Sequence, residues 1–140
     1  MSAAFDASTG KVGPAVTGCT NPQGLDVVSG KLWVACLGTQ EVVAVQLTGT
    51  PAVVTRVKVP GDPDGVHAEG TSLYVALSNG PGVRVIDTAT GKLGPAVALG
   101  THGPLSDANV DVLTAGVDVW VTSFDEQKLY HRPASSLTSR

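Results

Sequence analysis

Three histidines and twelve carboxylates are the groups from which this chain could build chemistry. His67 follows Asp62 and Asp64 within five residues, a spacing at which an imidazole and a carboxylate can cooperate in proton transfer near neutral pH. A second grouping, Asp107, Asn109 and Asp111, sets three oxygen-bearing side chains at alternate positions, with Asp118 at the twelfth place counted from Asp107. That resembles the opening of a calcium loop, and calcium is the one cofactor the residues suggest. Against it, Val112 stands where an EF-hand loop takes glycine, and no helix flanks the segment. Cys19 and Cys36 are the only cysteines. They form either a disulfide, which contributes on the order of 3 kcal/mol, or two thiols packed as small apolar groups. With no histidine pair beside them they make no zinc site. A nucleophile elbow, a phosphate-binding loop, HExxH and a dinucleotide fingerprint are all lacking.

These residues are positioned by a repeat. PQGLDVVSGKLWVACLGTQEVVAVQ at 22–46 returns as PDGVHAEGTSLYVALSNGPGVRVID at 63–87, an offset of 41 (Pro22 to Pro63) without a gap. Pro22 falls on Pro63, Gly24 on Gly65, Trp33 on Tyr74 and Val42 on Val83. FDASTGKVGPAV at 5–16 matches IDTATGKLGPAV at 86–97, and VWVTSFDEQKLY at 119–130 has the shape of LYVALSNGPGVR at 73–84. The third unit carries extra residues within His102–Asp111. A unit repeated at this period cannot bury its apolar face alone, so the core forms where units stack.

Each unit divides into short, Val-rich runs separated by turn residues. In the first they are Gly24–Val28, Lys31–Cys36, Glu41–Gln46 and Val53–Val59, the last with less regular alternation. Four antiparallel strands returning about every 40 residues describe a β-propeller blade, and the fold class is all-β. The units run roughly 1–20 (the last strand of a blade, Val12–Thr17), 21–60, 61–102 and 103–140, a single domain of about three blades. Trp33, Tyr74 and Trp120 share one place on the second strand, where each ring packs against the next blade. Asp62, Asp64, His102, Asp107 and Asn109 lie in links between units, and Gln40, Asn79, Asp125 and Glu126 in the turns after second strands. Links and turns meet at one rim. Asp26 and His67 align on inner strands that border the central channel. The bland reading of these residues is turn formation and solvation; the functional reading is a polar rim and channel that bind a partner or small ligand.

The phrases LWVA at 32–35, LYVA at 73–76, VWVT at 119–122 and GVRVIDTATGKLGPAVALG at 82–100 resemble YVTN-type β-propeller repeats. Those are the units of YncE-like proteins and of sensor domains on some actinobacterial regulators. The resemblance covers roughly 5–132 and implies a non-catalytic binding or scaffold module of bacterial origin. Lactonases and streptogramin lyases share the blade pattern, so the alternative is a propeller enzyme with a channel site using His67 and nearby carboxylates. A third reading is an inactive fragment of a longer propeller.

Three blades are too few to close a ring, since natural rings have about four to eight. Two copies joined head to tail would make a six-bladed ring as a homodimer; the other source of further blades is the remainder of a longer chain. A net charge of −3 and a pI near 5.4, without a basic stripe, argue against nucleic acid. Apolar stretches of only a few residues leave nothing to span a membrane. Met1–Ala4 is too short and neutral for a signal peptide, and the chain begins in mid-repeat. The compartment therefore stays open between a bacterial cytoplasm and, for an excised domain, an extracytoplasmic setting.

Overall fold

The computed structural model describes residues 2–79, 82–99, 110–124 and 126–137. An N-terminal hairpin pairs β1 (Ser2–Phe5) with β2 (Val12–Val16). The first complete blade is a four-stranded antiparallel sheet in sequence order: β3 (Pro22–Val28), β4 (Lys31–Cys36), β5 (Glu41–Gln46) and β6 (Ala52–Lys58). The second contains β7 (Pro63–Glu69), β8 (Ser72–Leu77), β9 (Gly82–Asp87), β10 (Lys92–Leu93) and β11 (Val97–Ala98). The third contains β12 (Val112–Ala115), β13 (Asp118–Ser123) and β14 (Lys128–Pro133). Among the described residues no helix is long and apolar enough to cross a membrane.

Local chemistry accounts for the punctuation. Ser29 and Gly30 both take positive φ (49° and 74°), the combination of a type I′ turn whose twist suits a tight hairpin. The irregular alternation of β6 has its cause in a register shift opposite Ala44 and Val45, a bulge that turns Val54 out to solvent. The fourth strand of the second blade is broken into β10 and β11, both paired with β9, because Pro95 between them has no N–H to give the ladder. Where a single strand was expected ahead of the first unit, the structure has two. Ser2–Phe5 is an additional strand, the counterpart of β9 by its sequence match.

Blades stack front to back. Trp33, Ala35, Val42 and Ala44 on the front of the first blade pack against Leu73, Val75, Leu77 and Ile86 on the back of the second. Tyr74, Ala76, Val83 and Val85 on the front of the second pack against Val112, Val119 and Val121 on the back of the third. The one-residue alternation of a strand places neighbours such as Trp33 and Val34 in different cores. Trp33 and Tyr74 thus face the next blade as their shared position requires. Trp120 is on the front of the third blade, stacked on His131 at 4.5 Å between ring centroids. The back of the first blade holds Val34, Cys36, Val43 and Val45, covered in part by Val16 and Cys19. Cys19 and Cys36 are paired as a disulfide there, with Cα atoms 5.3 Å apart, inside the span such a bridge needs.

Candidate functional site on the inner strands

The inner strands β3, β7 and β12 lie side by side. Their close approach depends on glycine. A methyl group placed on Gly24 would stand 2.7 Å from the Asp64 carbonyl oxygen and 2.8 Å from the Val66 nitrogen. One on Gly65 would stand 2.7 Å from the Val110 carbonyl oxygen. Neither glycine has positive φ. Space for the neighbouring backbone, not conformational freedom, is what the repeated Pro-x-Gly supplies.

Two residues beyond these glycines on the same strands, the three inner strands are joined by polar side chains. His67 Nδ1 is 3.6 Å from Asp26 Oδ2, and His67 Nε2 is 2.9 Å from Thr114 Oγ1. Asp26 belongs to the first blade, His67 to the second and Thr114 to the third. The carboxylate is held on both sides, accepting from the N–H of Ala68 through Oδ2 (2.7 Å) and from that of Val27 through Oδ1 (2.7 Å). The His67 and Asp26 side chains keep 24% and 33% of their surface, so both remain open to solvent.

The carboxylate that faces His67 therefore comes from the preceding blade, in place of the expected Asp62 or Asp64. Asp64 is buried and turns its Oδ2 toward the Val110 N–H at 3.4 Å. Burial pushes its carboxyl above the ordinary carboxylate range, and the nearby charge of Asp111 adds to this, while the Val110 N–H opposes it. Asp62 is in the left-handed region (φ 58°), and its carbonyl accepts from the Ser78 N–H. Asn79 likewise donates its N–H to the Gly61 carbonyl, so link and turn are tied together at one rim. Gln40 takes φ 51° after the short 3₁₀ turn Leu37–Thr39 and serves as its cap. Glu126 accepts from Ser123 Oγ (3.1 Å) and Tyr130 OH (2.6 Å), with Lys128 Nζ at 3.7 Å. That bond from the phenol is the main cause raising the Tyr130 pKa.

His102, Asp107, Asn109 and Asp125 lie outside the described residues. Of the calcium pattern, Asp111 is exposed and accepts from the Val112 N–H (2.9 Å), and Asp118 at the twelfth place faces His131 Nδ1 at 3.0 Å. Among the described residues no three histidine, cysteine or acidic side chains gather as a metal site would need. Thr114 escaped the sequence reading because the offset of the third unit sets Leu113, not Thr114, opposite His67. The rule that links them is seen only in the structure: Asp26 reaches Ala68, one position past its own counterpart His67, and the same step from His67 leads to Thr114.

No protein-family model matches the chain, and no curated protein matches it. Solved structures do. A catalytically inactive histidine-to-alanine variant of virginiamycin B lyase from Staphylococcus aureus, with quinupristin, superposes with a TM-score of 0.71 at 17% identity, over 93% of this chain and 44% of that one. The selenomethionine form of the same lyase gives 0.67 at 17% identity, over 94% of this chain and 47% of that one. Apo AztD from Citrobacter koseri gives 0.54 at 12% identity, over 85% and 45%. The fold is a β-propeller. The chain spans less than half the length of each of these structures.

Proposed function

We propose that this chain is a YncE-like propeller module that binds its ligand on the channel side of the inner strands. The observation that carries this is the Asp26–His67–Thr114 chain, three polar groups from three blades converging on a partly open surface. A fixed carboxylate, an imidazole and a hydroxyl supply acceptor and donor capacity for a polar ligand, while the flanking apolar strands give it shape. A fragment screen that includes quinupristin, read by NMR on the histidine ring signals, tests the reading. Hits should move the His67 signals and spare those of His131. Hits that gather on the rim turns or on β14 overturn it.

A second reading, an enzyme of the lyase kind, is favoured by the same pairing, because a carboxylate beside Nδ1 suits His67 to act as a base. Loss of quinupristin during incubation, followed by chromatography and abolished by His67→Ala, would support it. Quinupristin that stays intact counts against it.

The channel itself needs more blades than this chain holds. Leu113, Trp120 and Leu129 line an open depression of about 340 Å³ on the front of the third blade, and Leu25 and Val27 are exposed at the inner edge of the first blade's back. These are the front and back faces that meet at both internal junctions, and we take a second copy, joined head to tail, as the occupant. Light scattering at twice the chain mass supports closure between copies; the mass of a single chain refutes it.

A further inference from the structure

We propose that Thr114 is an acyl acceptor and that Asp26, His67 and Thr114 form a hydrolytic constellation for activated carboxylic esters. The inference rests on the channel-side site described above and adds an activity to it. The atoms are disposed as acyl transfer requires. A carboxylate opposite Nδ1 is an acceptor only, so it favours the proton on that nitrogen and leaves the lone pair on Nε2. At 2.9 Å that lone pair faces the Thr114 hydroxyl, the proton of which it can take. The two backbone N–H groups on Asp26 hold the carboxylate in place, as an orienting group must be held. Its distance to His67, 3.6 Å, is long for a hydrogen bond, as catalytic contacts commonly are before substrate arrives. Each group stands on a different inner strand, so the constellation exists only in the stacked blades.

The step balances without a co-reactant beyond water. Thr114 Oγ attacks the ester carbonyl and forms a C–O bond while its proton passes to His67 Nε2. The bond to the alcohol oxygen breaks, and that oxygen leaves with the proton from His67. Water, deprotonated by the same nitrogen, then hydrolyses the acyl-threonine, giving acid and free hydroxyl. The neighbouring Ala68 N–H is engaged by Asp26 and does not serve the carbonyl oxygen. With that donor engaged, a good leaving group lowers the demand on stabilising the charge, and the class proposed is aryl esters.

The test is p-nitrophenyl acetate with the full chain, followed by nitrophenolate absorbance and by peptide mass mapping. One acetyl group on Thr114 is the expected result. Thr114→Val, close in shape, should carry none there, Thr114→Ser should restore it, and Asp26→Asn should slow the labelling by roughly a hundredfold or more. Circular dichroism establishes that each variant is folded. A wild-type chain with no acetyl group at Thr114, or labelling there at an unchanged rate in Asp26→Asn, overturns the proposal. If that happens while fragments still move the His67 signals, acyl transfer fails and the binding site stands; if neither is seen, both fail.

Discussion

Replacing Gly65 by alanine introduces one methyl group where β7 meets β12, and the consequences can be worked out from the contacts. The added carbon would stand 2.7 Å from the Val110 carbonyl oxygen, 2.8 Å from Asp111 Cα and 3.1 Å from Asp111 Oδ1, whereas ordinary contact begins at 3.4 Å. Two of the three atoms are backbone, so no rotamer change relieves them, and the third blade must retreat by about 0.7 Å. Overpacking of this kind costs about 1–3 kcal/mol. His67 is two residues along the same strand. A retreat of that size would carry its 2.9 Å contact with Thr114 past the limit of hydrogen bonding, adding about 1 kcal/mol. The sum is about 2–4 kcal/mol, measured as a fall in the urea midpoint with little change in slope. Gly24→Ala is the control of direction. It should destabilise by a similar amount through the β3–β7 contact, and should weaken the bond from the Ala68 N–H to Asp26 while leaving His67 on Thr114. If Gly65→Ala is within about 0.5 kcal/mol of wild type, or if its His67 ring signals match those of wild type, the close approach of the inner strands is not as described.

Asp64→Asn should raise stability at neutral pH, where the native chain must hold an ionised carboxylate in a buried place. Because the folded pKa is raised above 3.8, the contribution of Asp64 is best at low pH and is lost as pH rises through the folded value. The gap between variant and wild type should therefore be widest at pH 7 and close by about pH 4, as read from urea midpoints; a constant gap would refute the burial argument. Reduction of the Cys19–Cys36 bridge, which closes a separation of 17 residues, should lower stability by about 3 kcal/mol, with free thiols appearing by mass only after reductant. Trp33→Ala should cost about 3–5 kcal/mol because the ring is fully buried between blades. A stability within about 0.5 kcal/mol of wild type would mean that the front face of the first blade is assigned wrongly.

Much of the fold was legible in the sequence because stacking makes the same demand at every junction. A large ring is needed where Trp33 and Tyr74 stand, and a missing side chain where Gly24 and Gly65 stand, so the residues recur with the blade. The site was legible only in part, for a reason that lies in the same geometry. Contacts between blades are not confined to aligned positions: Asp26 faces its counterpart His67 at 3.6 Å, but its hydrogen bond comes from the Ala68 N–H, and His67 meets Thr114. Aligning the units brings out what is equivalent, and so it shows the Asp26–His67 pair but not Thr114, which is one residue further on in the next blade. The rim residues taught the opposite lesson. Gln40, in a turn, and Asp62, in a link, stand out as polar groups at the rim, yet both occupy the left-handed region, and their backbone groups close the rim. Their residue types are accounted for by the turn. Asp26, His67 and Thr114, by contrast, are held by three separate blades and have no turn to make.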